Sequence, residues 1–230
     1  MAQFHFVEDY ERYVAKLVST YPLDEAMSHA VGGGPYDLFG QIEVQMLRLA
    51  GLREGMRVVD LGCGSGRLAC ALHAAEDISY LGIDIVQVLL DYAKSMAPKY
   101  EFVMHRGLSI PQPDRSADIV CAFSLFTHLL HAESYIYLEE CVRILRPGGW
   151  IVFSFLEFAE PSHWSVFAHT RQAVQDRMSE HLNMFIERNA IETWAVHLGL
   201  EMDRFIAAAS RVLDGHALGQ SVAVLRKPGT

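Results

Sequence analysis

Short, almost uniformly apolar segments alternate with helical patterns through the middle of the chain. The pattern predicts strands over 57–61, 80–83, 100–104, 117–123 and 150–155, with helices between them over 67–74, 86–97 and 134–145. Strands without polar alternation are typical of a parallel sheet that is covered by helices on both faces. The middle of the chain is therefore expected to be a doubly wound α/β layer.

The two ends of the chain have different patterns. Helical spacing of apolar residues predicts helices over 6–19 and 38–50, with loops at Pro22 and at 32–35 between them. Near the other end, a helix over 190–198 precedes extended segments at 201–208 and 220–225. The link between these two segments is too short for the helical crossover of a parallel pair. We therefore expect seven strands, mostly parallel, with an antiparallel last strand.

Composition limits the possible partners. With 230 residues, of which 51% are hydrophobic, the chain is long enough for one large domain with a sizeable core. Its 28 acidic and 19 basic residues give a net charge of −9, which disfavours nucleic acid and anionic membrane surfaces. No segment has the character of a secretion signal or a membrane span, and the four cysteines are scattered. These features predict a cytoplasmic protein with reduced thiols and no metal.

The strongest chemical signal is the segment VVDLGCGSGR, residues 58–67. A predicted strand enters a glycine-rich turn that opens a helix, and glycines let the backbone come close to a ligand. NAD-binding loops use the spacing G-x-G-x-x-G at this place, whereas this chain has G-x-G-x-G. Asp60 stands two positions before the first glycine, which suits a ligand that carries an ammonium group or other positive charge.

Asp84 ends the second predicted strand, 18 residues after Gly66. A carboxylate at this position can accept hydrogen bonds from both ribose hydroxyls of a nucleoside. The alternative is that Asp84 only caps the helix that begins at Val86. Because the glycine-rich turn lies at the right distance, we favour the ribose interpretation.

These two motifs resemble those of class I S-adenosylmethionine (SAM) dependent methyltransferases, and the resemblance extends over about residues 30–227. The segments IPQPDRSADIV at 110–120 and LRPGGW at 145–150 are similar to the family's approaches to its fourth and fifth strands. The resemblance implies a Rossmann-like fold, SAM as cofactor and S-adenosylhomocysteine (SAH) as product.

The resemblance also implies which residues contact SAM. Asp60 would serve the amino-acid end of SAM, Asp84 the ribose, and Ile85 one side of the adenine. Many relatives have an acidic residue where this chain has Leu108, so backbone groups or Ser109 would replace that contact. The predicted cofactor-binding residues are Asp60, Gly62, Cys63, Gly64, Gly66, Asp84, Ile85, Gly107, Leu108, Ser109, Ser124 and Tyr36.

The segment SLFTH, residues 124–128, follows the fourth predicted strand and would face the transferred methyl group. A neutral imidazole at His128 could take a proton from the methyl acceptor, so His128 is the candidate catalytic base. The alternatives are a structural histidine at the start of the next helix, or the same role for His131. Ser124 and Phe126 either pack on the cofactor or take part in catalysis.

Two further segments are candidates for lids. The segment after the fifth strand is rich in aromatic residues and histidines and would line an acceptor pocket, or else hold a lid as a small hydrophobic cluster. Three glycines at 32–34 would form a hinge that brings Tyr36 over the cofactor, or a plain loop between helices. The predicted substrate-binding residues are Phe126, His131, His163 and Trp164.

We therefore expect one domain over 1–230. It comprises a helical lid at 1–56, a SAM-binding core at 57–156, a substrate-lid insertion at 157–200 and a closing hairpin at 201–227. The expected function is methyl transfer from SAM to an oxygen or nitrogen of a small metabolite by in-line displacement. The alternatives are a non-catalytic SAM-binding partner subunit and another alkyl transfer from a SAM relative. The glycine spacing disfavours an NAD-dependent dehydrogenase. Sequence alone determines neither the acceptor nor the oligomeric state.

Overall fold

The computed structural model describes residues 7–75, 77–176 and 183–229. The strands are β1 (Arg57–Leu61), β2 (Ser79–Asp84), β3 (Glu101–Met104), β4 (Ala117–Ala122), β5 (Leu145–Phe155), β6 (Glu201–Ile206) and β7 (Ser221–Arg226). The helices are α1 (Val7–Thr20), α2 (Leu23–Ala30), α3 (Tyr36–Leu49), α4 (Arg67–Ala75), α5 (Gln87–Met96), α6 (His131–Ile144), α7 (Trp164–Gln175) and α8 (Arg188–Leu198). Within this described part, no helix combines the length and the apolar character needed to cross a lipid bilayer.

The seven strands form one sheet in the order β3-β2-β1-β4-β5-β7-β6. Neighbouring strands from β3 to β5 are parallel, whereas β7 pairs antiparallel with both β5 and β6. The predicted fold class is confirmed, with β7 as the antiparallel strand. Sequence order alone did not indicate that β7 lies between β5 and β6.

Each face of the sheet has its own hydrophobic core. Val59 belongs to a core with α6 and α8, while the adjacent Val58 belongs to a core with α3 and α4. Because successive side chains of a strand point to opposite faces, adjacent apolar residues such as Val58 and Val59 in β1 supply both cores. Helices therefore pack on both faces of the sheet, and the loops that follow the strands begin from well-packed positions.

Two helices are absent from the sequence predictions. The first, α2, buries Ala26, Met27 and Ala30, but it has only eight residues and stands between Pro22 and the glycines at 32–34. Its hydrophobic pattern is too short to be recognised beside those turn signals. The second, α7, buries only Ala173 among its residues, so it carries little helical periodicity.

Two elements begin at least three residues before their predicted starts. Helix α6 begins at His131, three residues before the predicted start at Ser134. The Glu133 carboxylate explains this, since its Oε2 accepts a hydrogen bond of 2.8 Å from the backbone N–H of Leu130. Strand β5 begins at Leu145, whereas the prediction placed its start at Trp150.

Candidate active site

A cavity of about 310 Å³ lies where the carboxyl ends of β1, β2 and β4 meet. Parallel sheets bind ligands at this edge, because loops from adjacent strands surround a common space. The predicted site residues that line the cavity are Asp60, Gly62, Cys63, Gly64, Asp84, Ile85, Ser124 and His128. The structure thus brings together eight residues that span 69 positions of the sequence, from 60 to 128.

The glycine-rich loop after β1 is packed tightly against side chains from other parts of the chain. Gly64 has φ +54°, and a Cβ there would lie 2.5 Å from Cγ1 of Val31. Gly66 has φ +83°, and a Cβ there would lie 2.6 Å from Cβ of Ala93 in α5. Gly66 is absent from the cavity lining, so in this structure its lack of a side chain serves the packing of the loop on α5.

Asp84 ties the end of β2 to the glycine-rich loop. Its Oδ2 accepts a hydrogen bond of 2.9 Å from the N–H of Gly64. Its Oδ1 accepts bonds of 2.7 and 3.0 Å from the N–H groups of Ile85 and Val86. Burial raises the pKa of Asp84, and these three donors oppose the rise. Asp84 therefore fixes the turn that leads into α5 without capping the helix itself, and it also lines the cavity.

Asp60 is a second buried carboxylate in the lining, with 3% of its surface exposed. The Tyr80 hydroxyl donates a hydrogen bond of 2.6 Å to its Oδ2. Burial raises the pKa of Asp60 to about 7, despite that hydrogen bond. A positively charged ligand group near Asp60 would favour the ionised form and would be attracted by it.

Glu43 and Arg67 line the same region of the cavity as a buried ion pair. The Arg67 Nε donates a hydrogen bond of 3.0 Å to Oε1 of Glu43, and its Nη1 donates one of 3.0 Å to the carbonyl of Val31. Burial raises the pKa of Glu43, and Arg67 opposes that rise. The sequence predictions did not include either residue. A signal was present, because Glu43 is an acidic residue among the buried apolar residues of α3.

A hydrogen-bonded group of three side chains, Ser124, Ser154 and Gln220, lies beside the cavity, and Ser124 and Gln220 line it. The Ser124 N–H donates to Oγ of Ser154 at 2.7 Å. The hydroxyls of Ser154 and Ser124 then donate to Oε1 of Gln220 at 2.6 and 3.3 Å. Ser124 has φ +60°, a strained value for a residue with a side chain, and such strain concentrates at functional sites. No sequence signal pointed to Gln220.

His128 lines the cavity from a short 3₁₀ helix, Phe126–His128, which follows β4. The His128 N–H donates a hydrogen bond of 2.9 Å to the carbonyl of Leu125, another lining residue. Phe126 is 1% exposed and packs on Phe153 in the core, with ring centroids 4.7 Å apart. The turn thus directs His128 to the cavity and Phe126 to the interior.

In addition to Gly66, four of the predicted cofactor-binding residues lie outside the described lining of the cavity. Tyr36 donates a hydrogen bond of 2.9 Å to the carbonyl of Ser65, so it supports the glycine-rich loop. The carbonyl of Gly107 accepts a hydrogen bond of 3.2 Å from the Tyr137 hydroxyl. The other two are Leu108, which packs against the core, and Ser109, whose hydroxyl lies 2.9 Å from Nε2 of His105.

The other predicted substrate residues also lie outside the described lining. Nε2 of His131 lies 2.9 Å from the carbonyl of Phe185. His163 is 1% exposed and lies between Glu157 and Gly219, with Nε2 3.2 Å from the Gly219 carbonyl. Trp164 is 57% exposed at the start of α7. In this structure His131 and His163 therefore contact backbone carbonyls, and Trp164 is largely exposed.

Comparisons with known proteins agree with this architecture. A family model described as a methyltransferase domain matches residues 59–153. The 27-O-demethylrifamycin SV methyltransferase of Amycolatopsis mediterranei (strain S699) is 33% identical over 111 residues, which are 44% of this chain and 40% of that protein. A ubiquinone biosynthesis O-methyltransferase of Bordetella avium (strain 197N) is 32% identical over 115 residues, or 47% of this chain and 46% of that protein.

The fold also resembles solved structures. Magnesium protoporphyrin IX methyltransferase from Synechocystis PCC 6803, solved with bound SAH, superposes with a TM-score of 0.65 and 13% identity. The superposition covers 97% of this chain and 96% of that one. The sheet order, the glycine-rich loop and the family match over residues 59–153 all resemble those of class I SAM-dependent methyltransferases. The chain spans less than half of the length of the two curated relatives named above.

Proposed function

We propose that this protein binds SAM in the cavity at the ends of β1, β2 and β4, and methylates an oxygen of a small metabolite. The observation that carries this proposal is the pair of buried carboxylates, Asp60 and Asp84, on either side of the glycine-rich loop. Both curated relatives described above are named for methylation of oxygen, which favours oxygen over nitrogen as the acceptor atom.

The residues present fit such a cofactor. Asp60 and the Glu43–Arg67 pair offer charges of both signs, which suits the ammonium and carboxylate groups of an amino-acid end. Asp84 accepts three backbone hydrogen bonds, whereas a carboxylate has about four acceptor positions, so it retains capacity for a ribose hydroxyl. Ile85 offers an apolar surface next to Asp84 for the adenine.

When bound, SAM supplies a methyl group that its sulfonium has already activated. The protein therefore has to orient the acceptor, exclude water and remove a proton. His128 lines the cavity next to Ser124 and Leu125, and we assign it the role of the base that takes the hydroxyl proton of the acceptor. Phe126, His131, His163 and Trp164 are left out of this assignment, because they do not contribute to the described lining.

Calorimetry with SAM and with NAD tests the cofactor assignment. We expect SAM to bind and NAD not to bind, and we expect Asp84→Ala to weaken SAM binding about 100-fold through lost charged hydrogen bonds. Asp91→Ala, an exposed carboxylate on α5, serves as the matched control and should bind SAM like wild type. Tight NAD binding without a SAM signal would refute the assignment.

Turnover with radiolabelled SAM tests the catalytic part. His128→Ala should lower methyl transfer by about 100-fold or more, the range for loss of a general base, while SAM affinity stays within a few-fold of wild type. Normal turnover in His128→Ala would return this histidine to a structural role. SAM binding without methylation of any acceptor would instead support a non-catalytic SAM-binding subunit.

A further inference from the structure

Gln220 is the cavity-lining residue from the connection into β7, and it has no place in the assignment above. It is brought to the site because β7 pairs with β5, which itself pairs with β4. Ser124 follows β4 and Ser154 lies in β5, so three neighbouring strands each contribute one member of the hydrogen-bonded group.

The hydrogen bonds of this group determine which way the Gln220 carboxamide faces. Oγ of Ser154 accepts the Ser124 N–H, and Ser154 is fully buried. Gln220 is the partner to which the Ser154 hydroxyl donates among the described residues, at 2.6 Å, and this bond assigns the carboxamide oxygen to the side that faces Ser154. The Ser124 hydroxyl donates to the same oxygen at 3.3 Å.

Because Oε1 of Gln220 accepts from both serines, the carboxamide nitrogen lies on the side away from them. Nε2 of Gln220 makes no hydrogen bond to any other residue that the structure describes, and it is not among the described atoms buried without a partner. Because Gln220 lines the cavity, the group offers fixed N–H donors to a ligand there. An N–H donor pairs with an oxygen that has a free lone pair and does not pair with an ammonium group.

We infer that the Gln220 N–H binds the methyl acceptor, and that this acceptor carries a second oxygen close to the hydroxyl that is methylated. The inference rests on the proposed function and names its substrate class. Gln220 and His128 line the same cavity, so both side chains are available to a molecule bound there. Sites that hydrogen-bond a substrate group discriminate against analogues that lack it, since the site is left unpaired.

The experiment compares phenol with catechol and salicylaldehyde, which add an oxygen next to the hydroxyl. Dissociation constants are measured by NMR on the SAH-loaded protein, and kcat and KM are measured with SAM. We expect the two ortho-oxygen compounds to bind about five- to tenfold more tightly than phenol, as one hydrogen bond provides. The difference should be in KM more than in kcat.

Gln220→Glu is the decisive variant, because it keeps an oxygen that accepts from both serines and replaces the N–H donors with a carboxylate oxygen that accepts. It should abolish the preference for catechol and salicylaldehyde, and Gln220→Met should do the same. Gln41→Met, an exposed glutamine on α3, is the matched control and should retain the preference.

Two outcomes would overturn the inference. One is the same preference in wild type and Gln220→Glu, and the other is failure of all three compounds to bind the SAH-loaded protein. Neither outcome touches the proposed cofactor, whose binding is measured separately by calorimetry. If wild type fails to bind SAM at all, the proposed function fails and this inference with it.

Discussion

Two parts of the site are held in different ways. At the glycine-loop end, formed by residues 60–85, backbone N–H groups hold the side chain of Asp84, whereas at the Gln220 end, formed by Ser124, Ser154 and Gln220, side chains hold each other. The first end comes from one continuous stretch, residues 60–85, together with α3. The second comes from positions 30 to 96 residues apart. A local segment therefore builds the cofactor end, and only the assembled sheet builds the proposed acceptor end.

The largest predicted effect is a loss of stability when the buried Glu43–Arg67 ion pair at the glycine-loop end is broken. Arg67→Met leaves the Glu43 carboxylate, which is 2% exposed, without its cation. We expect the free energy of unfolding to fall by about 3 to 5 kcal/mol in urea titrations, the cost of an unpaired buried charge.

Two further variants interpret that result. The double variant Glu43→Leu/Arg67→Met removes both charges and should recover most of the loss. Arg12→Met breaks the Arg12–Asp9 pair on exposed α1, where the arginine side chain is 68% exposed, and should cost less than about 1 kcal/mol. Equal losses for Arg67→Met and Arg12→Met would contradict the assigned importance of the buried pair.

The second prediction compares the two ends through one matched substitution. Gly66 and Gly219 have almost the same φ, +83° and +81°, but a Cβ at Gly66 would clash with Ala93, while nothing lies within 4 Å of one at Gly219. Gly66→Ala should destabilise by about 3 kcal/mol through strain and overpacking. Gly219→Ala should cost about 1 kcal/mol from strain alone. Thermal unfolding of both variants measures the difference, and equal shifts would show that Ala93 yields to the added methyl.

The third prediction concerns pH. Burial raises the pKa of Asp60 to about 7, above the value of about 3.9 in an unfolded chain. Between those values the folded state holds a proton that the unfolded state has released, so the contribution of Asp60 to stability falls as pH rises from about 4 to 7. Relative to Asp60→Asn, wild type should lose about 2 kcal/mol between pH 5 and pH 7.5.

Urea titrations of both proteins across that range measure this loss. Subtracting the Asp60→Asn curve removes the contribution of the other titrating groups. A constant difference between the two curves would mean that Asp60 is ionised throughout. The glycine-loop end would then resemble the Gln220 end in having polar groups that do not titrate in this range.

The sheet was largely predictable, because its strands carry a strong local signal. Strand β1 was predicted with its observed ends, Arg57 and Leu61, since its four buried residues are followed directly by glycine. The helices α2 and α7 were not predicted, because α2 is short and α7 presents few buried residues. Their stability comes from packing against other parts of the chain, which local periodicity does not record.

The candidate site divides in the same way. Asp60, Gly64 and Asp84 were predicted from motif spacing, and all three line the cavity. His163 and Trp164 were predicted from the aromatic and histidine content of their segment, and neither is in the described lining. The amino-acid content of a segment does not show which way its side chains point. Whether a side chain faces a cavity depends on how its segment packs on the sheet.

The amino-acid sequence by itself determined the α/β layer, the glycine-rich loop and the two carboxylates beside it, because each depends on neighbours within a few dozen residues. Tertiary structure alone decided that Glu43 meets Arg67, and that Ser124, Ser154 and Gln220 form one group. The first contact depends on the packing of α3 against α4, and the second depends on strand order, which places β4, β5 and β7 side by side. Strand order is set by how the two hydrophobic faces of the sheet are covered, and that is a property of the whole chain.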